Sequence, residues 1–128
     1  MRRLFFYGLF MAVFYLQSCQ NNLEINQEAV RKERRLHDAA MYNTQLGLAY
    51  LHQADRVRAK QKLVTALDLA PNSPEANVAM GYFLEKTGEA EKAKEFYKKA
   101  LSLAPNDGAQ LNNYGTFLCR TAHYKDAE

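Results

Sequence analysis

Residues 66–72 read Ala-Leu-Asp-Leu-Ala-Pro-Asn, and residues 100–106 read Ala-Leu-Ser-Leu-Ala-Pro-Asn. The two stretches lie 34 residues apart and differ at one position. The same interval separates a series of glycines and a series of alanines, namely Gly47, Gly81 and Gly115, and Ala59, Ala93 and Ala127. A fixed period that holds at so many positions indicates that one structural unit is repeated along the chain.

A 34-residue period with Gly, Ala, Ala and Pro at set intervals is the signature of the tetratricopeptide repeat (TPR), which this chain resembles. The resemblance implies an all-α superhelix of stacked antiparallel helix pairs, a scaffold that binds proteins and seldom catalyses reactions. The register predicts helices over residues 26–53, 56–69, 74–87, 90–103 and 108–121, with a further helix from residue 124 onward.

The register divides the chain into about two and a half repeats. They cover residues 40–73, 74–107 and 108–128, the last of them incomplete. Gly81 is expected to let the two helices of its repeat approach closely, with Ala93 facing it. Ser73 and Pro74 are typical of a helix cap and a first helical turn.

The N-terminal segment reads as a secretory signal. Arg2 and Arg3 precede an apolar run over residues 4–16, which is shorter than the roughly 20 residues that span a bilayer. Residues 16–19, Leu-Gln-Ser-Cys, resemble the bacterial lipobox, in which the cysteine follows the apolar run. An ordinary signal peptide cut near Ser18 is the alternative.

The lipobox resemblance implies a lipoprotein. Residues 1–18 would be removed by signal peptidase II, and Cys19 would carry diacylglycerol and an amine-linked acyl chain such as palmitate. Several acyl chains anchor a protein durably, since each buried CH₂ contributes about 0.8 kcal/mol. Gln20 replaces the Asp of an inner-membrane retention signal, which implies the periplasmic face of a Gram-negative outer membrane.

Residues 19–39 are expected to link the lipid to the repeats. Residues 20–25 suggest a short polar tether, and a charged helix is predicted from Asn26. The Arg and Lys residues within 31–35 have two interpretations. They contact anionic lipid head groups, or they form a solvated helix face.

Composition argues against several other functions. The net charge is +3, or about +1 without Arg2 and Arg3, and no dense basic stripe suggests nucleic-acid binding. The sequence contains no glycine-rich phosphate loop, metal-ligand spacing or His/Asp/Glu cluster, so we expect no enzyme activity, cofactor, metal or small-molecule substrate. Cys119 is expected to be a partly buried helix residue, with His123 beyond the helix end and unable to serve as its base.

In TPR stacks the first helix of each repeat lines a concave groove. The positions that face it here are Met41, Thr44, Leu48, Leu51, His52, Glu75, Val78, Tyr82, Glu85, Lys86, Ala109, Asn112, Thr116, Cys119 and Arg120. The apolar first repeat and the polar later ones suit an extended or helical peptide. The candidate binding residues are Leu48, Leu51, Tyr82 and Asn112.

Two alternatives bear on this groove. In one of them, a neighbouring segment covers the groove in place of a partner. A chaperone-type carboxylate clamp is excluded, because Thr44, Leu48 and Ala109 occupy three places where that clamp needs Lys or Asn.

Longer strings point to a narrower family. Residues 45–51 (Gln-Leu-Gly-Leu-Ala-Tyr-Leu), 59–63 (Ala-Lys-Gln-Lys-Leu) and 111–119 (Leu-Asn-Asn-Tyr-Gly-Thr-Phe-Leu-Cys) are similar to the type IV pilus biogenesis lipoproteins of the PilF/PilW type. That resemblance implies a pilotin, an outer-membrane lipoprotein that helps the pilus secretin reach the membrane and multimerise. Members carry about six repeats, so this chain is expected to be a fragment or a truncated product.

The sequence is also compatible with one alternative function. The chain would then be another periplasmic TPR lipoprotein, a scaffold for outer-membrane protein insertion or cell-wall synthesis.

Overall fold

The computed structural model describes the backbone of residues 2–125 and the side chains of residues 26–122. Within the described backbone, five α-helices follow one another and no residue lies in a β-strand. The predicted all-α class is therefore confirmed. The chain divides into two compact units, residues 1–35 and residues 36–128.

The first unit is helical. Helix α1 (Arg2–His52) begins in it and is unbroken through residues 20–25. The predicted polar tether and the predicted helix start near residue 26 are therefore wrong. Residues 17–25 contain neither Pro nor Gly, so nothing in the backbone interrupts the helix there.

The side chains of the predicted signal segment and of Cys19 lie outside the described residues. No helix in the part of the chain that the structure describes is both long enough and apolar enough to span a bilayer.

The second unit contains the end of α1 and four more helices. They are α2 (Arg56–Leu69), α3 (Pro74–Lys86), α4 (Ala90–Leu103) and α5 (Gly108–Lys125). Among α2 to α5, the most extensive packing is between α3 and α4, followed by α4 with α5 and α2 with α3. Helices joined by short turns and packed on their neighbours in sequence form the stack of antiparallel pairs that the period predicts.

The third repeat departs from the prediction. Helix α5 continues to Lys125, although a break between residues 121 and 124 was expected. The corresponding turn of the second repeat contains Gly88, whose φ is +86°. One period later the residue is Ala122, which favours helix and disfavours a left-handed conformation. His123, expected beyond the helix end, therefore lies within α5.

Each turn between the helices of a pair contains one left-handed residue. Ala54 has φ +61° between α1 and α2, and Gly88 occupies the same place between α3 and α4. The side chain of Asp55 then caps α2 by accepting a hydrogen bond from the Arg58 backbone N–H at 3.0 Å. Ser73 caps α3 in the same way, with Pro74 in the first turn, as the sequence predicts.

Close approach of paired helices depends on the repeating glycines. A Cβ built on Gly47 would lie 2.7 Å from Cγ of Leu63, and one on Gly81 would lie 3.3 Å from the Tyr97 ring. The three atoms nearest that Cβ all belong to Tyr97, and Ala93 is fully buried in the same core.

An aromatic cluster extends this core into the third repeat. The ring centroids of Tyr97 and Phe117 are 4.9 Å apart, and those of Phe117 and Tyr114 are 6.4 Å apart. The opposite side of α5 is open. Leu111 and Leu118 are 52% and 40% exposed, and a Cβ on Gly115 would meet no other atom within 4 Å.

Candidate peptide-binding groove

The first helices of the three repeats line a groove of about 580 Å³. Its wall contains Thr44, Leu48, His52, Glu75, Val78, Ala79, Tyr82, Tyr97, Asp107, Ala109, Gln110, Asn112, Asn113, Thr116 and Arg120. All of these belong to the second unit of the chain. Most are first-helix positions that the repeat register assigns to the concave face.

The structure brings three of the four candidate binding residues into this groove. Leu48, Tyr82 and Asn112 all belong to its lining. Leu51 does not; it is half-buried and packs against the hydrophobic core. Leu51 therefore lies outside the groove, whereas the other three line it.

The apolar part of the groove lies around Tyr82. Leu48, Val78 and Tyr82 are half-buried and pack on the core with one side. The ammonium of Lys86, one helical turn after Tyr82, lies 5.2 Å from the centroid of its ring. A cation at this distance from an aromatic face is attracted to it. The groove thus presents an apolar surface bordered by a positive charge.

An ion pair between repeats involves Arg120 of the groove lining. Arg120 of α5 donates hydrogen bonds to Glu85 of α3, from Nε to Oε1 at 2.6 Å and from Nη2 to Oε2 at 2.9 Å. The hydroxyl of Tyr97 in α4 donates to Glu85 Oε2 at 3.0 Å. Three helices therefore meet at one carboxylate, in a bidentate geometry that favours arginine.

These contacts change the ionisation of the groups. Burial raises the pKa of Glu85, but the hydrogen bonds from Arg120 and Tyr97 outweigh it and hold that pKa below its ordinary value. Burial, together with the neighbouring carboxylate, raises the pKa of Tyr97. Glu85 is thus an ionised acceptor and Tyr97 a neutral donor at neutral pH.

Sequence reasoning placed Glu85 and Arg120 on the groove but missed their pairing and missed Tyr97 altogether. The charges of the two residues are opposite, and they lie on first helices one repeat apart, which is the signal that could have found the pair. Tyr97 occupies a core position of a second helix, so the repeat pattern assigned it to packing alone.

The polar end of the groove is organised around the start of α5. Asp107 accepts hydrogen bonds from the Ala109 backbone N–H at 2.8 Å and from Gln110 Nε2 at 3.3 Å. Gln110 is only 5% exposed, and its Oε1 has no hydrogen-bond partner among the described residues. Asn112 is exposed beside it. This end offers amide groups for hydrogen bonding.

The remaining cysteine does not belong to this site. Cys119 is an exposed, free residue of α5, so the expectation of partial burial is wrong. It lies outside the groove lining. Within the described side chains, no three His, Cys, Asp or Glu residues are grouped as metal ligands.

The paired helices and their close-contact glycines give the chain the fold of tetratricopeptide repeats. The family model for the tetratricopeptide repeat matches residues 74–107, the segment that contains α3 and α4. The paired helices, close-contact glycines and concave groove of the structure agree with that match.

The similarity extends to particular relatives. The chain is 32% identical over 102 residues to the type IV pilus assembly protein PilF of Pseudomonas aeruginosa, covering 80% of this chain and 40% of the relative. It is also 32% identical over 90 residues to an uncharacterized protein of Haemophilus influenzae, covering 70% of this chain and 50% of the relative.

A solved structure agrees with the sequence comparison. The structure reported for the functional characterization of Pseudomonas aeruginosa PilF matches 72% of this chain and 41% of its own chain, with a TM-score of 0.64 and 35% identity. The resemblance to PilF seen in the sequence is therefore confirmed. The chain spans about half the length or less of these relatives.

Proposed function

We propose that the chain is a protein-binding scaffold for type IV pilus assembly and acts as a pilotin-like factor for the pilus secretin. The observation that carries this proposal is the similarity to PilF over 80% of the chain. The groove gives the proposal a physical basis. Leu48 and Tyr82 provide apolar contact area and Asn112 a hydrogen-bonding amide for a segment of the secretin.

The role proposed for the groove is binding rather than catalysis. Its strongest charge pair, Glu85 with Arg120, is satisfied internally by hydrogen bonds. The Glu85 carboxylate and the Arg120 guanidinium bind each other and hold two helices together. Neither group is therefore free to transfer a proton at neutral pH.

The proposed site of action is the periplasmic face of the outer membrane. Cys19 would carry the lipid that holds the protein there, in line with the lipobox-like residues 16–19. The lipid would localise the scaffold and the groove would bind the partner, so the two parts are separable by mutation.

The test is a deletion strain complemented with variants of the full-length protein. We expect loss of surface pili in the deletion strain, with secretin monomers that fail to assemble or remain in the wrong membrane. Wild type should restore assembled secretin, measured by fractionation and electron microscopy. Tyr82→Ala should not restore it, because the substitution removes the aromatic surface of the groove.

Tyr42→Ala is the matched control for this variant. Tyr42 is 64% exposed on α1 and lies outside the groove lining, so its removal should leave secretin assembly intact. Normal secretin rings in the deletion strain would overturn the pilotin role and leave a scaffold for outer-membrane insertion or wall synthesis. Equal behaviour of the two tyrosine variants would overturn the groove as the binding site.

A further inference from the structure

A basic residue recurs once per repeat along one edge of the groove. His52, Lys86 and Arg120 are separated by 34 residues each, at the same position of three successive first helices. His52 and Arg120 belong to the groove lining, and Lys86 lies over the ring of Tyr82, which also lines it. We call these three residues the basic row.

Helix dipoles do not explain the basic row by themselves. Cations are favourable in the last turn of any helix, and α1 and α3 have His52 and Lys86 there. The second helices α2 and α4 have no basic residue in their last turns. First and second helices have the same dipole, so the dipole alone would favour basic residues at the ends of both. Among α1 to α4, the basic residues of the last turn occur only on the first helices, which line the groove.

The basic row retains unused binding capacity. Lys86 is exposed, and no carboxylate lies within 4.0 Å of its ammonium among the described side chains. Arg120 is 39% exposed and uses Nε and Nη2 on Glu85, and its other terminal nitrogen has no hydrogen bond to the described residues. Lys86 and Arg120 can therefore each donate a hydrogen bond to a carboxylate of a ligand while they keep their present contacts.

The acidic residues of the groove, unlike Lys86 and Arg120, are engaged in local hydrogen bonds. Asp107 accepts hydrogen bonds from Ala109 and Gln110 at the start of α5. Glu75 accepts one from the Ser73 hydroxyl at 2.9 Å at the start of α3. These carboxylates have local roles at helix starts, whereas the cations at the other edge have open positions.

We propose that the groove binds an extended peptide segment with acidic side chains along the basic row and an apolar side chain on Leu48, Val78 and Tyr82. This inference rests on the proposed function, because it describes the ligand of the same groove. Neighbouring packed helices lie about 10 Å apart, and an extended peptide advances about 3.3 Å per residue. The acidic residues of the ligand are therefore expected two to four positions apart.

The test is selection from a random 12-residue peptide library displayed on phage, with the purified chain as bait. We expect selected peptides to be enriched in Asp or Glu at that spacing beside Leu, Phe or Tyr. The strongest peptide, labelled with fluorescein, should bind about tenfold more weakly to Lys86→Glu than to wild type. Replacing its acidic residues by Gln should weaken binding similarly and reduce the effect of added salt.

Lys99→Glu is the matched control, because it makes the same charge change at an exposed residue of α4 outside the groove lining. Its affinity for the probe should equal that of wild type. Binding that needs Tyr82 but shows no acidic enrichment, or no loss in Lys86→Glu, would overturn this inference and leave the groove in place. Binding unaffected by Tyr82→Ala, or a library without binders, would overturn the groove itself.

Discussion

Arg120 donates hydrogen bonds to both carboxylate oxygens of Glu85, although the two residues lie 35 positions apart in the sequence. Glu85 belongs to the first helix of the second repeat and Arg120 to the first helix of the third. Only 12% of the Glu85 side chain is exposed, so solvent screens this pair less than a surface pair. The pair therefore fixes one repeat relative to the next.

Replacing Glu85 by Gln should destabilise the chain. The substitution keeps the shape of the side chain but removes the charge that accepts three hydrogen bonds, so we expect a loss of about 2 kcal/mol in the free energy of unfolding. Urea denaturation followed by circular dichroism would measure it. Glu91→Gln, at an exposed residue of α4 without an ion pair among the described side chains, should have little effect.

The contribution of Glu85 to the free energy of unfolding should decrease as the pH is lowered. Its pKa in the folded chain is lower than the ordinary 4.5, so its stabilisation is present above that value and is lost as the pH falls through the folded pKa. The difference in unfolding free energy between wild type and Glu85→Gln should therefore shrink in acid. A difference that grew below pH 4.5 would contradict the lowered pKa.

Gly81→Leu should destabilise the fold by about 1–3 kcal/mol or more. Even a Cβ at Gly81 lies 3.3 Å from the Tyr97 ring, so a branched side chain must displace it. Gly115→Leu is the matched control, because a Cβ there meets no described atom within 4 Å beyond its own helix backbone, and Leu favours helix over Gly. Equal melting temperatures for Gly81→Leu and wild type would contradict the repeat register.

Substitutions at the two left-handed turn residues, Gly88 and Ala54, should change the free energy of unfolding in opposite directions. Gly88→Ala should lower the free energy of unfolding by about 1 kcal/mol, because φ +86° is unfavourable for a residue with a Cβ. Ala54→Gly should raise it slightly, since relief of the left-handed strain exceeds the added backbone entropy of glycine. Chemical denaturation of both variants would test this, and changes of the same sign would contradict it.

Cys19→Ala should release the protein from the outer membrane if Cys19 carries the lipid. Cys119→Ala should leave the protein in the membrane fraction, because Cys119 is a free cysteine of the folded repeat unit. Radiolabelled palmitate should label wild type and Cys119→Ala but not Cys19→Ala. A Cys19→Ala protein that fractionates with the outer membrane would show that the lipobox interpretation is wrong.

The repeat period predicted the folded unit well because its signal is redundant. Gly47 and Gly81 each sit against a second helix, so several positions specify the same packing. The prediction failed where the local residues alone determine whether a helix ends or continues. Ala122 in place of a turn glycine lets α5 continue, and the absence of Pro or Gly lets α1 pass through residues 20–25.

The groove was predicted less completely than the fold. The register identified which positions face it, but it treats each position alone and says nothing about side chains that meet across repeats. Leu51 therefore entered the candidate set although it lies outside the groove lining, and Tyr97 was left out although its hydroxyl reaches Glu85.

The junction of Tyr97, Glu85 and Arg120 limits how this protein can change. These three side chains hold α3, α4 and α5 together, and two of them, Tyr97 and Arg120, also line the groove. A substitution that alters ligand preference there also loosens the stack, so these positions must vary together or remain fixed. Lys86 and Asn112 are exposed and hold no helices together, and new preferences for partners would arise first at such residues.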